Sequence, residues 1–135
     1  MKARSVTAFI CRWAVAPGSL LVSAYGVYLF EGADFRRDTL EMGLYCGLPI
    51  LSFPAFLLSF WSLRWSVAMH WLLAAGYLAV YSALDWRTCA EMGYCHGVLQ
   101  TVLQTLTTRP VGGVFAVAVL NLAALTLKKD ARFSD

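Results

Sequence analysis

The sequence is poor in charge. Only 14% of its 135 residues are Asp, Glu, Lys or Arg, against 59% hydrophobic residues, and the mean hydropathy is +0.62. Soluble domains carry about 25% charged and roughly 45–50% apolar residues. A globule this small leaves roughly a third of its chain surface wet after folding, so it has no interior for that much apolar surface. The excess faces another apolar medium, and lipid is the simplest. Long basic runs are also missing. Arg36-Arg37 and Lys128-Lys129 are the longest clusters, and the net charge is +3. Nucleic-acid binding needs many phosphate-neutralising side chains, so no nucleic acid is expected as a partner.

Reaction motifs are missing too. The chain has no His-Glu-x-x-His, no phosphate-cradling glycine loop, no Cys-x-x-Cys and no readable Ser-His-Asp set. No catalytic residue, cofactor or metal is therefore expected. There is no low-complexity segment, long linker or convincing repeat, so residues 1–135 read as one domain.

What remains is four uncharged stretches: residues 13–30, 42–63, 65–84 and 111–127. About 20 helical residues cross a hydrocarbon core of about 30 Å. In lipid each backbone amide must be satisfied within its own segment, which makes these runs helices. Trp13, Trp61, Trp65 and Trp86 lie at or near their ends, where amphipathic rings prefer the headgroup level. Pro110 suits the first turn of the last span. The expected fold is an all-α, integral membrane four-helix bundle. The beginning also resembles a secretory signal, with Lys2, Arg4 and Arg12 before an apolar run and Val22-Ser23-Ala24 as a cleavage site. The apolar run continues to Phe30, which favours an uncleaved span.

Basic residues set the expected orientation. With both termini and Arg64 on one side, that side holds Lys2, Arg4, Arg12, Arg64, Lys128, Lys129 and Arg132. The other holds Arg36, Arg37, Arg87 and Arg109. Seven against four gives an N-in, C-in protein of a bacterial-type cytoplasmic membrane. The short turn at Arg64 makes the second and third spans antiparallel neighbours.

In the outer segment 85–110, Cys89 and Cys95 stand close in sequence, and an oxidising compartment would join them. Such a disulfide would fix a bend at Gly93. Adding His96 gives a possible metal site, but one ligand short of a closed zinc site. Beyond it, Val98, Leu99, Val102, Leu103 and Leu106 share a helical face over about residues 97–108. This segment is too short and polar to span. It reads as a helix along the outer interface, or as a cap packed over the bundle through the same residues. Cys11 lies near the inner face. Cys46 reads as a buried small residue.

Polar residues within the spans are the functional candidates. His70 is an ionisable group well inside the third span. Asn121, Ser19, Ser23, Ser52 and Ser59 are placed for interhelical hydrogen bonds, and Gly112, Gly113 and Ala116 for close packing. Pro49 and Pro54 should kink the second span. Arg36 and Arg37 form a possible anion site in the first outer loop.

Together these features suggest a small multi-pass protein that acts through contacts. Its expected surroundings are the bilayer and a membrane-protein partner or second copy, as a subunit, assembly factor or immunity-type protector. Four spans, internal termini, and cysteines plus an interfacial helix in the second outer loop are also loosely similar to DsbB-type quinone-linked thiol oxidases. That resemblance implies thiol redox work by Cys46, Cys89 and Cys95, with Arg36 or Arg37 facing the quinone. The first outer loop departs from it by lacking Cys-x-x-Cys. A carrier or channel is a third reading, with Asp85 and Glu91 attracting cations at the outer mouth.

Overall fold

The computed structural model describes residues 2–32, 39–94, 97–107 and 109–132. Six α-helices account for nearly all of them: α1 (Lys2–Gly32), α2 (Thr39–Ile50), α3 (Ser52–Leu57), α4 (Leu63–Glu91), α5 (Val98–Thr107) and α6 (Arg109–Arg132). A 3-10 turn, Leu58–Phe60, follows α3. No strand occurs among the described residues. Among the described residues, four segments are long and apolar enough to cross a membrane: Val6–Gly32, Met42–Phe60, Leu63–Glu91 and Val111–Lys128.

Helix limits do not follow charge. α1 runs straight through Arg12, and its 31 residues reach about 46 Å at 1.5 Å each. Arg64 is already inside α4, as are Asp85, Arg87 and Glu91. Charges mark where a helix leaves hydrocarbon, whereas the backbone ladder continues until a residue or contact breaks it. Pro17 sits within α1 without ending it.

The second span is the broken one. Its helix stops at Ile50, Leu51 forms a turn, and α3 starts at Ser52. Pro49 and Pro54 supply no N–H to the ladder, so this kink agrees with expectation. Only Trp61 and Ser62 separate the end of this span from α4, which makes the two antiparallel neighbours.

Around the bundle the order is α1, then α2 with α3, then α4, then α6, which closes back onto α1. Each span therefore packs on its neighbours in sequence, and α1 and α4 stand diagonally opposed. Buried residues follow one face of each helix. On α4 they are Ser66, Val67, His70, Leu73, Ala74 and Tyr77. On α6 they are Val111, Val114, Val117, Ala118, Asn121 and Ala124. Ala116 is exposed, so Ala118 supplies the small contact that the sequence placed at Ala116. The close approaches of α1 and α6 are at glycine: a Cβ on Gly18 would meet Val117 Cγ2 at 3.1 Å, and one on Gly113 would meet Val22 Cγ2 at 3.4 Å.

The core has two layers. Toward the α5 end it is apolar, with Ala74, Tyr77, Val111, Val114 and Ala118 in contact. The Tyr45 ring tilts against Tyr77 and Tyr81 at centroid distances of 5.6 and 5.7 Å. Toward the other end it is polar, and that layer holds the candidate site. Trp13, Trp61, Trp65 and Trp86 are exposed near the two ends of the spans, as interfacial rings should be.

Candidate functional site

Buried polar groups are expensive in an apolar bundle unless they satisfy one another. Here they cluster. His70, Ser66, Ser19, Ser52 and Asn121 are each no more than 1% exposed. Ser66 and His70 are one turn apart on α4, so they present the same face. His70 Nδ1 lies 2.8 Å from the Ser66 carbonyl oxygen and 3.0 Å from Asn121 Nδ2 on α6. Asn121 Nδ2 also donates to Ser66 Oγ at 2.9 Å, and Ser66 Oγ donates to the Ala55 carbonyl of α3 at 2.8 Å. Across the diagonal, Ser19 Oγ of α1 lies 3.4 Å from His70 Nε2. One imidazole therefore sits where all four spans meet.

The contacts at Nδ1 compete. A hydrogen there suits the Ser66 carbonyl, whereas a lone pair suits the Asn121 amide as placed. Exchanging the Asn121 amide ends turns the contact at Nδ1 around but sets Oδ1 against Ser66 Oγ. Asn121 Oδ1, Ser52 Oγ and Ser59 Oγ have no hydrogen-bond partner among the described residues. Of the five polar residues expected to tie helices together, Ser19, Ser23 and Asn121 do so, while the Ser52 and Ser59 hydroxyls do not.

A second polar junction repairs the break in the second span. In an unbroken helix the Ile50 carbonyl would accept from residue 54, but Pro54 has no N–H. Ser23 Oγ of α1 donates to that carbonyl at 2.8 Å and accepts from Phe53 N at 2.9 Å. Gly26, one turn on, lets the backbones meet. A Cβ there would lie 3.0 Å from both Cys46 O and Ile50 N. Val15, Ser19 and Ser23 of α1 are thus core residues, and cleavage after Ala24 would remove them.

Among the described residues, Cys11, Cys46 and Cys89 are free thiols, and no two cysteines lie close together. Cys46 is fully buried where α2 meets α1. Cys89 lies near the far end of α4, and its Sγ donates to the Tyr94 carbonyl at 2.8 Å. Local hydrogen bonds close the bend, Met92 N to Thr88 O and Gly93 N to Ala90 O, with Gly93 at φ 83°; the expected Cys89–Cys95 disulfide falls on Cys95, outside the described residues. Cys95 and His96 lie outside the described residues, and so do Arg36 and Arg37.

α5 settles against α4 and α6 by an unexpected face. Thr101 is buried, whereas Val98, Leu99 and Leu103 are 70%, 74% and 55% exposed. Gly112 permits the tight corner into α6, because a Cβ there would stand 3.1 Å from the Leu106 carbonyl. The apolar stripe read from the sequence therefore points largely away from the bundle rather than capping it. Trp86 near the end of α4, and Met92 and Tyr94 just after it, are exposed as well.

Ser66 and Gly26 were not legible as site residues, and Ser23 was legible as an interhelical hydrogen-bonding serine but not as the group that repairs the second span. The signal for Ser66 and Gly26 was position alone: Ser66 precedes His70 by one turn, and Gly26 follows Ser23 by three residues. A scan against protein-family models, a search of curated proteins and a search of solved structures each found no match to this chain.

Proposed function

We propose that this chain is a membrane-embedded contact protein. It docks a partner membrane protein through α5 and the adjoining end of α4. The supporting observation is the division of labour among its side chains. Ser19, Ser23, Ser66, His70 and Asn121 of the spans are turned inward and join helices, whereas Val98, Leu99 and Leu103 are turned outward and Trp86 and Tyr94 of the preceding segment are exposed as well. Aromatic and aliphatic side chains at the centre of a patch are the usual anchors of an interface. The excess of basic residues on the other side favours both termini in the cytoplasm of a bacterial-type cell, with α5 at the outer surface.

Photo-crosslinking in native membranes tests this. A photoreactive residue is placed at Leu99 or Leu103, with Leu72 as a mid-span control that is 65% exposed. A discrete protein adduct at Leu99 or Leu103 and none at Leu72 is the expected result. Adducts with lipid alone at all three positions would make α5 a lipid-lying helix and sink the docking proposal.

A further inference from the structure

A slot opens on the flank of the bundle opposite α5, between α1 and α3 with its 3-10 turn. It has a volume of about 320 Å³ and is lined by Phe9, Arg12, Trp13, Ala16, Phe56 and Phe60. Phe9, Trp13 and Ala16 recur at helical spacing on α1, and Phe56 and Phe60 do so across the gap. Each wall is an aromatic pair. Phe9 and Trp13 stand 5.8 Å apart between centroids, and Phe56 and Phe60 stand 5.7 Å apart, edge to face. Ala16 leaves the space between the walls. Arg12 brings the one charged group of the lining, and no carboxylate is among the six.

Volume, shape and charge together define the occupant. The slot is at the small end of ligand sites, the size for one chain or ring system rather than a folded segment. Its walls are apolar and aromatic. Its guanidinium has a long apolar stem that can keep the charge at headgroup depth while the stem stays in hydrocarbon. Phe60 marks that depth, because the turn to α4 follows directly at Trp61 and Ser62. Seven of the eleven basic residues fall at this end of the spans by sequence, against two of the eight acidic ones, Asp130 and Asp135. Planar guanidinium recognises phosphate through paired, charge-assisted hydrogen bonds.

We infer that this slot is a binding site for one anionic glycerophospholipid, its phosphate on Arg12 and one acyl chain between the Phe9–Trp13 and Phe56–Phe60 walls. The inference needs the chain to be membrane-embedded but is independent of what docks at α5.

Native mass spectrometry of the full chain in mild detergent reads this directly. Phosphatidylglycerol, phosphatidylcholine and inorganic phosphate are titrated separately. One phosphatidylglycerol per chain should bind in preference to phosphatidylcholine. Arg12→Gln should weaken phosphatidylglycerol about fivefold, the scale of one basic residue at an anionic surface, and Arg12→Lys should retain part of that. Ala16→Phe should fill the slot and weaken both lipids. Circular dichroism and the melting temperature establish that each variant is folded, and Arg12→Gln carries the test if Ala16→Phe is not. Equal binding of the two lipids, or no change in Arg12→Gln, overturns the inference. So does inorganic phosphate competing as well as the lipid does, because that would make Arg12 an anion site with no use for the aromatic walls.

Discussion

Ser23→Ala removes one oxygen and should cost far more than an ordinary surface change. The hydroxyl makes two good contacts at the break of the second span, to the Ile50 carbonyl at 2.8 Å and from Phe53 N at 2.9 Å. Pro54 cannot supply the missing donor, and hydrocarbon offers no substitute. Interhelical hydrogen bonds within bilayers are worth about 0.6 kcal/mol on average and up to about 1.7 kcal/mol. Losing both should cost about 1–3 kcal/mol. The assay is reversible denaturation in mixed micelles, followed by circular dichroism. Pro54→Ala sharpens it by returning an N–H to the Ile50 carbonyl, so Ser23→Ala should cost about 1 kcal/mol less in that background, within the range of coupling seen between touching residues. A loss below about 0.5 kcal/mol, well under the value of two such hydrogen bonds, would refute this account. Strict additivity of the two changes would refute the repair of the kink even if Ser23→Ala were costly.

Gly26→Ala should destabilise by about 1–3 kcal/mol, because its Cβ would crowd Cys46 O, Ile50 N and Ile50 Cγ1, whereas Gly47→Ala, with nothing within 4 Å, should be neutral or stabilising in the same denaturation assay. Asn121→Leu, which removes the donor to Ser66 and the contact with His70, should lower stability by about 1–2 kcal/mol and reduce the melting temperature. In single-cysteine variants, a membrane-impermeant maleimide should label partly exposed Cys89 on intact cells and leave buried Cys46 unlabelled until denaturation. Labelling of Cys89 only after permeabilisation would reverse the proposed orientation.

Much of the fold was legible because hydrocarbon imposes a simple rule on sequence. Residues 111–127 match the fourth span, Val111–Lys128, closely. The first and third are longer than their uncharged stretches, since Arg12, Asp85 and Arg87 sit on helices that continue beyond lipid. The kink at Pro49 and Pro54 was also legible, because proline acts through its own backbone and needs no partner to do so. His70 and Asn121 stood out by their rarity in apolar runs. Ser66 did not, because serine is common in spans and its role depends on Ala55 and Asn121, which no local pattern brings to it.

Hydrophobic content alone determined that four helices long and apolar enough to cross a membrane form, because length and apolar composition are properties of each segment separately. Only the tertiary structure decided which groups meet: Ser23 with the Ile50 carbonyl at the break of the second span, His70 with Ser19 and Asn121 of two other helices, and Cys11, Cys46 and Cys89 apart from one another. It also turned Leu99 and Leu103 outward, although periodicity can define a stripe without saying what lies beneath it. The physical reason is range: helix formation and membrane insertion are settled within a segment, whereas hydrogen bonds between helices depend on distances that arise from packing.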